Sequence, residues 1–288
     1  MSEVIQRIRV NPVSSTLPRE AKINVGRARK YSKITYGVMR YPECAVVGGG
    51  PSVRNHLETL RNWKGDIFAI NDMAKYLSDN GIAHYLYAID GVTVPFRVGI
   101  LTKGALFASR CHKNQFKQMN GRPIRIFDLA EDARPPRIGI EGGPTAACRA
   151  PHLLLSMGYC GVSYFGLDGS YEDDVTHVSG KTNTAYENML IIRAGGKDYM
   201  TSSGFMLQHE WMCEAFKRYP QFLHNASGGL FPVILDDPDG WSVIAIAEDL
   251  KKKYDDLGNF QWCKEYTGKL KVVSDLKLSQ RDAQIEPL

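Results

Sequence analysis

The sequence lacks several features that would place it in a particular class of protein. None of its six cysteines forms a C-x-x-C pair, so the spacing favours buried free thiols over a zinc site or a disulfide framework. No apolar run approaches the ~20 residues of a membrane span, and the first seven residues have no apolar signal-peptide core. The sequence therefore predicts a cytoplasmic protein without a membrane span.

Acidic residues are scarce at the start of the chain. The protein has 288 residues, 43% of them hydrophobic, and a net charge of +5, which suits one large domain or two small ones. Residues 1–42 hold nine Lys or Arg against two Glu, a balance of +7, so the rest of the chain carries −2. We expect a basic, extended arm over 1–42, because Pro12 and Pro18 argue against a long helix. Such an arm suits nucleic acid, an anionic substrate or acidic lipid, and it also suits a merely solvated surface.

Short apolar runs alternate with helical segments from residue 44 onward. This pattern predicts a doubly wound, Rossmann-like α/β fold, with a mostly parallel sheet and helices on both faces, over residues 43–240. Asn71 and Asp90 directly follow the second and third predicted strands. Ligands of open parallel sheets bind at the carboxyl ends of strands, although both residue types are also common in turns. For residues 241–288 we expect a C-terminal helix, running from Val243 to Tyr254, and a polar tail.

A glycine-rich turn follows the first strand of this pattern. Residues 44–47 suit a buried strand, and they run into Gly48, Gly49 and Gly50, then a proline and Ser52. Glycines let a ligand approach the main chain, and the start of a helix directs amide N–H groups at an anion. The stretch therefore predicts a nucleotide-phosphate cradle, or alternatively a tight strand-to-helix turn without a ligand.

Further candidates lie in the second half of the chain. Gly143 and Thr145 open a predicted helix, and Asp168 follows a predicted strand. His177 could act as a general base, because its ordinary pKa lies near neutrality. Asp168, with Asp173 and Asp174, could hold a hard cation such as Mg²⁺. The same acidic residues also suit a solvated loop.

The ordered set of these motifs resembles the MptE-like family, which includes archaeal 6-hydroxymethylpterin diphosphokinases and the domain of motility-associated flagellin glycosyltransferases. The resemblance covers roughly residues 43–235. The matching segments are Val47–Ser52, Gly166–Tyr171, Thr176–Gly180, Thr201–Ser202 and Asn225–Gly229.

A more distant similarity is to bacterial sialyltransferases that use a CMP-activated sugar. They also carry a G-x-G-P-S turn after the first strand, an asparagine at the position of Asn71, and a strand ending like that before Asp168. The chain differs at Gly49, where these enzymes usually have asparagine, and at residues 142–143, where a Thr-Ser pair is expected. Both differences argue against a CMP-sialic acid donor.

These resemblances imply a transferase with a nucleotide-activated donor. The donor's nucleotide would bind at Gly48, Gly49, Gly50 and Ser52, with Asn71 and Asp90 beside the ribose or the transferred group, and Gly143 and Thr145 closing the site. His177 would be the base, and Asp168 would contact a metal or the acceptor.

Three functions remain open at this point. The favoured one is transfer of a sugar from a nucleotide-sugar to a hydroxyl group. The alternatives are a Mg²⁺-dependent diphosphokinase that uses ATP and a pterin-like alcohol, and a non-catalytic nucleotide- or DNA-binding module. The sequence does not identify the acceptor, which is a glycan, a protein, a pterin or DNA. It also leaves the oligomeric state open, with a homo-oligomer among the alternatives.

Overall fold

Strand β2 (Cys44–Val47) lies in the middle of the main sheet, and all four of its side chains are fully buried. A run of small apolar residues suits this position, because a central parallel strand is covered on both faces. The structure is a computed structural model, and it describes residues 18–37, 39, 41–91, 93, 96–133, 138–172, 177–178 and 189–246.

Helices and strands alternate through much of the described chain. The other strands are β1 (Ser32–Lys33), β3 (Ile67–Ile70), β4 (His84–Ala88), β5 (Thr102–Ala108), β6 (Ile124–Leu129), β7 (Gly139–Ile140), β8 (Val162–Phe165), β9 (Met189–Ala194), β10 (Lys197–Ser202), β11 (Leu223–Asn225) and β12 (Trp241–Ile246). The helices are α1 (Pro18–Ala28), α2 (Leu57–Arg61), α3 (Met73–Asp79), α4 (Lys113–Gln118), α5 (Ala146–Ser156), α6 (Ser203–Arg218) and α7 (Phe231–Asp236), with a 3-10 helix at Pro51–His56.

The order of strands in the main sheet confirms the predicted fold class. The order is β1-β6-β5-β4-β3-β2-β8-β11, with β7 paired to β6, and the described pairings are parallel. From β2 the chain moves outward through β3, β4, β5 and β6, and it then returns to the other side of β2 with β8 and β11. Because crossovers between parallel strands are right-handed, the two directions place connecting helices on opposite faces. The result is a doubly wound, Rossmann-like α/β sheet.

Helix α5 continues through Pro151, where the sequence predicted a kink or a later start. Proline has no N–H group, so the carbonyl of Ala147 lacks its usual donor four residues on. The buried hydroxyl of Tyr164, on β8, donates to that carbonyl at 3.3 Å. The hydrogen bond satisfies a buried acceptor and ties α5 to the centre of the sheet.

A second, antiparallel sheet has the order β10-β9-β12 and was not predicted. The predicted C-terminal helix from Val243 is wrong at its start, because residues 243–246 belong to β12. Val243 and Ile244 are β-branched and suit this strand, whose partner β9 lies about fifty residues earlier in the chain. The rest of that predicted helix and the tail lie outside the described residues.

The basic arm contains a helix where an extended segment was predicted. Pro18 stands at the first position of α1, where proline is tolerated. Ala21, Asn24, Val25 and Ala28 are buried, which is the spacing of one helix face. The extended prediction is therefore wrong for residues 18–28, and residues 1–17 lie outside the described part.

Two other sequence-based expectations can be compared with the described residues. Cys44, Cys111, Cys148 and Cys213 are buried free thiols, as expected, whereas the free thiol of Cys160 is exposed. Among the described helices, none combines the length and the apolar character needed to cross a membrane.

Candidate active site

The order of strands reverses between β2 and β8, the two neighbours at the centre of the main sheet. Open α/β sheets bind ligands outside the carboxyl ends of strands at such a reversal. Two loops leave the sheet there, residues 48–52 after β2 and residues 166–170 after β8. They define the candidate active site.

The glycine turn lies directly against the second of these loops. The amide of Gly48 donates to the carbonyl of Phe165 at 2.8 Å, and the amide of Gly50 donates to the carbonyl of Gly166 at 2.8 Å. A Cβ on Gly48 would lie 2.6 Å from the carbonyl oxygen of Gly166. The glycines are therefore needed for the close approach of two protein loops.

Asp168 joins the two loops through its carboxylate. Its side chain accepts from the amide of Ser52 at 2.7 Å, from the hydroxyl of Ser52, and from the amide of Gly228 at 3.2 Å. The residue is 4% exposed, and a Cβ on Gly50 would lie 2.5 Å from its Cγ. Asp168 is thus a buried anchor for three segments of chain, and its predicted catalytic role stays a prediction.

These contacts bear on the predicted phosphate cradle. The amides of Gly48, Gly50 and Ser52 all have acceptors within the protein. The 3-10 helix begins with Gly50 as its cap, and the carboxylate of Asp168 lies where an incoming anion would meet its first turn. Nucleotide binding by these residues stays a prediction, and it would require contacts other than these three amides.

His177 lies against Gly49, the middle glycine of the turn. A Cβ on Gly49 would lie 2.0 Å from Nδ1 of His177, and the amide of Val178 donates to the carbonyl of Gly49 at 2.7 Å. The absence of a side chain at Gly49 thus makes room for the imidazole. His177 is half-buried and lies against the turn that follows β2, and the next residue of that turn, Gly50, lies against the carboxylate of Asp168. Its predicted role as a base is untested, and Asp173 and Asp174 lie outside the described residues.

Asn71 and Asp90 meet at the carboxyl ends of β3 and β4, next to β2 in the sheet. The side-chain amide of Asn71 donates to Asp90 at 3.4 Å, and its buried Oδ1 has no hydrogen-bond partner within the described residues. Asn71 has a φ of 53°, a conformation that non-glycine residues rarely adopt. Burial raises the pKa of Asp90, and the hydrogen bond from Asn71 and the charge of Arg110 partly oppose that rise. A buried, unpartnered acceptor beside a desolvated carboxyl suits a ligand that brings hydrogen-bond donors.

Gly143 and Thr145 lie at the start of α5, which faces the same edge of the sheet because α5 leads back to the amino end of β8. Thr145 caps the helix by accepting from the amide of Cys148 at 3.3 Å. A Cβ on Gly143 would lie 2.4 Å from the Trp211 ring on α6. The contacts of both residues belong to the packing of α5 and α6. Their predicted part in the donor site stays a prediction.

A pocket of about 270 Å³ opens beside this packing. Its lining combines charged side chains with one indole, and it consists of Ala130, Glu131, Glu141, Gly142, Cys148, Arg149, His152, Trp211, Glu214, Ala215 and Arg218. Arg149 is already satisfied by Glu131, at 3.0 and 3.1 Å, and by the carbonyls of Ile140 and Gly143. Its guanidinium therefore supports the loop before α5.

Several residues of the loop after β8 depend on partners that the sequence did not reveal. Thr201 donates its hydroxyl to the carbonyl of Gly169 at 2.6 Å, and the hydroxyl of Ser227 accepts from the amide of Leu167 at 2.8 Å. Both partners belong to motifs of the family resemblance that carried no assigned role. These two hydrogen bonds fix the position of the Asp168 loop.

His209 packs against the same loop, and the sequence did not reveal this residue either. A Cβ on Gly169 would lie 2.1 Å from its ring, which stacks on Phe231 with centroids 5.3 Å apart. Its Nδ1 is buried without a partner within the described residues, and burial lowers the pKa of His209 to about 4. The ring is therefore neutral at pH 7 and fills space under Gly169, whose φ of 61° favours glycine.

A metal site is not evident in the part of the chain that the structure describes. No group of three or more His, Cys, Asp or Glu side chains is placed there to hold an ion. Mg²⁺ at this site therefore stays a prediction.

Fold and site together define an α/β protein whose two central loops meet at the reversal of strand order. No family model matches the chain, and no curated protein matches it. Among solved structures, the MAf glycosyltransferase from Magnetospirillum magneticum AMB-1 is similar, with a TM-score of 0.57 and 12% sequence identity. The match covers 76% of this chain but 38% of that chain, so this protein spans less than half the length of its neighbour.

This likeness supports the fold. At 12% identity it shows a shared fold and assigns no activity. The family itself has no sequence match to support it.

Proposed function

We propose that the protein is a glycosyltransferase that moves a sugar from a nucleotide-activated donor to a hydroxyl group of an acceptor. One observation carries the proposal: the imidazole of His177 lies on the glycine turn, beside the Asp168 loop, at the strand-order reversal. The fold around this point is similar to that of a glycosyltransferase. An aligned base and a ligand crevice are the two parts that such a transfer needs from the protein.

His177 is the proposed base. It takes the proton of the acceptor hydroxyl as that oxygen bonds to the anomeric carbon of the sugar. The bond from this carbon to the donor phosphate oxygen breaks, and its electron pair leaves with the nucleotide. An imidazole suits this step, because its ordinary pKa lets it accept a proton near neutral pH.

Asn71 and Asp90 are the proposed contacts of the donor's ribose or sugar. The unpartnered Oδ1 of Asn71 can accept from a hydroxyl, which would satisfy a buried acceptor. The carboxyl of Asp90 can accept from a second hydroxyl or, when protonated, donate. Asp168 has a positioning role, because its three hydrogen bonds hold the turn against which His177 lies.

Thermal shift with a panel of nucleotides tests donor binding. We expect one of CMP, UDP, GDP, GTP or ATP, with or without Mg²⁺, to raise the melting temperature. A ligand at 100 times its Kd stabilises the fold by about 2.7 kcal/mol. Asn71→Gly is a matched variant, because glycine accepts the φ of 53° while removing the amide, and it should reduce the shift.

Two outcomes would contradict the proposal. One is a panel in which no nucleotide changes the melting temperature. The other is a His177→Ala protein that binds the nucleotide and hydrolyses or transfers the sugar of the matching nucleotide-sugar as fast as the wild type. If ATP alone binds and is consumed, the diphosphokinase alternative replaces this one.

A further inference from the structure

Helix α1 and the two residues after it carry five cations that are exposed to solvent. Arg19, Lys22 and Arg27 lie on its exposed side, and Arg29 and Lys30 follow at its end, all of them exposed. These five residues are called the basic surface below. Residues 18–37 contain one carboxylate, Glu20, against six Lys or Arg.

Within the described residues, no carboxylate pairs with any of the five cations of the basic surface, whereas the neighbouring Lys33 lies 3.7 Å from Asp128. Lys30 lies over the ring of Tyr31, 5.3 Å from its centroid, and this contact leaves its charge in place. The surface therefore presents about five positive charges to a partner.

Helix α1 is held firmly against the body of the protein. Its opposite face buries Val25 and Ala28, and the side-chain amide of Asn24 donates to the backbone carbonyl of Arg110 at 3.0 Å. Tyr31, just after the helix, stacks on Phe116 of α4 with centroids 4.6 Å apart. The cations thus stand on a rigid support, and less conformational entropy is lost when a partner binds.

We propose that the basic surface binds the phosphate backbone of a nucleic-acid duplex. Eleven residues of helix extend about 16 Å, and the cations are distributed along this length. A duplex offers anions on this scale, with one phosphate charge per about 1.7 Å of its axis. A membrane surface fits less well, because α1 buries Ala21, Val25 and Ala28 in the protein and leaves a single large apolar side chain, Ile23, exposed.

The basic surface is separate from the candidate active site. Helix α1 and Tyr31 after it contact Arg110 and Phe116, which follow β5, whereas the glycine turn follows β2, three strands away in the order of the main sheet. None of the five cations of the basic surface is among the residues of the candidate site. Duplex binding and nucleotide binding can therefore be measured independently, and the failure of one leaves the other standing.

The test is fluorescence anisotropy of the full chain with a labelled 20-base-pair DNA duplex at several salt concentrations. Five phosphate contacts give a slope of log K against log salt of about −4.5, which is a loss of about 500-fold between 50 and 200 mM salt. The triple variant Lys22→Gln, Arg27→Gln, Arg29→Gln should have a slope of about −1.8 and lose about 12-fold over the same range.

The matched control removes the same charge from other faces. Lys64, Lys197 and Lys217 are exposed, and the triple variant with glutamine at these positions should keep the wild-type slope. Both triple variants should keep the wild-type melting temperature and nucleotide-induced shift, because the replaced side chains are exposed.

Three results would overturn the proposal. The first is a wild type that binds no duplex at 50 mM salt. The second is a control variant that loses as much affinity as the variant of the basic surface, which would mean that net charge alone attracts DNA. The third is capture of the wild type through this surface by vesicles of 30% phosphatidylserine in a sedimentation assay while the duplex does not bind, which would make the partner a lipid surface.

Discussion

Replacing Asp168 with alanine should weaken the fold at the centre of the candidate site. The carboxylate accepts from the amide and hydroxyl of Ser52 and from the amide of Gly228. The last of these donors keeps another acceptor, the hydroxyl of Ser52 at 3.0 Å. The main group left unsatisfied is therefore the amide of Ser52. Losing one charge-assisted hydrogen bond and leaving its donor without an acceptor costs about 3 kcal/mol. This is well below the sum expected if the three hydrogen bonds of Asp168 were lost independently.

Urea denaturation followed by tryptophan fluorescence measures this loss. We expect the free energy of unfolding of Asp168→Ala to fall by about 3 kcal/mol with an unchanged m-value, and the melting temperature to fall by roughly 6–12 °C. Asp168→Asn keeps one carbonyl oxygen for the amide of Ser52 and should lose less. Asp79→Ala is the control, because its exposed carboxylate pairs with Lys75 and contributes about 0.5 kcal/mol or less.

A particular result would refute this reasoning. If Asp168→Ala unfolds like the wild type but has lost transfer activity, the carboxylate acts on substrate and its three hydrogen bonds are not needed for the fold. The positioning role argued from the structure would then be wrong, and the catalytic role predicted from the sequence would replace it.

Three further variants test other parts of the site. Gly49→Ala should displace the ring of His177, 2.0 Å from the new Cβ, and lower donor hydrolysis at least tenfold with little change in melting temperature; Gly26→Ala, with open space around it, is the control. His209 takes up a proton near pH 6.5 in the unfolded chain but only near pH 4 in the folded chain. The free energy of unfolding should therefore fall by about 3 kcal/mol as the pH falls from 6.5 to 4, and His209→Gln should remove this loss from urea titrations. Burial raises the pKa of Asp90, so Asp90→Asn should increase stability at pH 7, and the gain should disappear in acid; a loss at pH 7 would contradict this.

The sequence was informative wherever local pattern and tertiary position agree. Strand β2 reads as a continuous apolar run because it is buried on both faces, and Asn71 and Asp90 follow strands that are neighbours in the sheet. Parallel strands bring such residues to one edge. The contact between these two side chains could therefore be expected from the sequence.

The sequence was misleading where the partner of a segment is distant. Residues 243–254 were predicted as one amphipathic helix, yet residues 243–246 pair with β9, and nothing local signals that partner. For α1, the apolar residues at 21, 25 and 28 had the spacing of a helix face, but the nearby prolines outweighed it. In both cases tertiary packing decided the outcome over local preference.

The contacts of the Asp168 loop change what the family resemblance can say about function. Thr201 and Ser227 come from separate motifs, and both bond to the loop after β8, as does the amide of Gly228. Gly48 and Gly50 pack on the same loop. Shared motifs of this kind specify a scaffold, and a scaffold can serve different donors. We therefore expect the identity of the proposed donor to depend on side chains that the scaffold leaves unsatisfied, and the buried Oδ1 of Asn71 after β3 and the buried hydroxyl of Ser109 after β5 meet this condition. It follows that substitutions at Asn71 should change which nucleotide binds, whereas substitutions at Thr201 or Ser227 should change stability and leave the preference among nucleotides as it is.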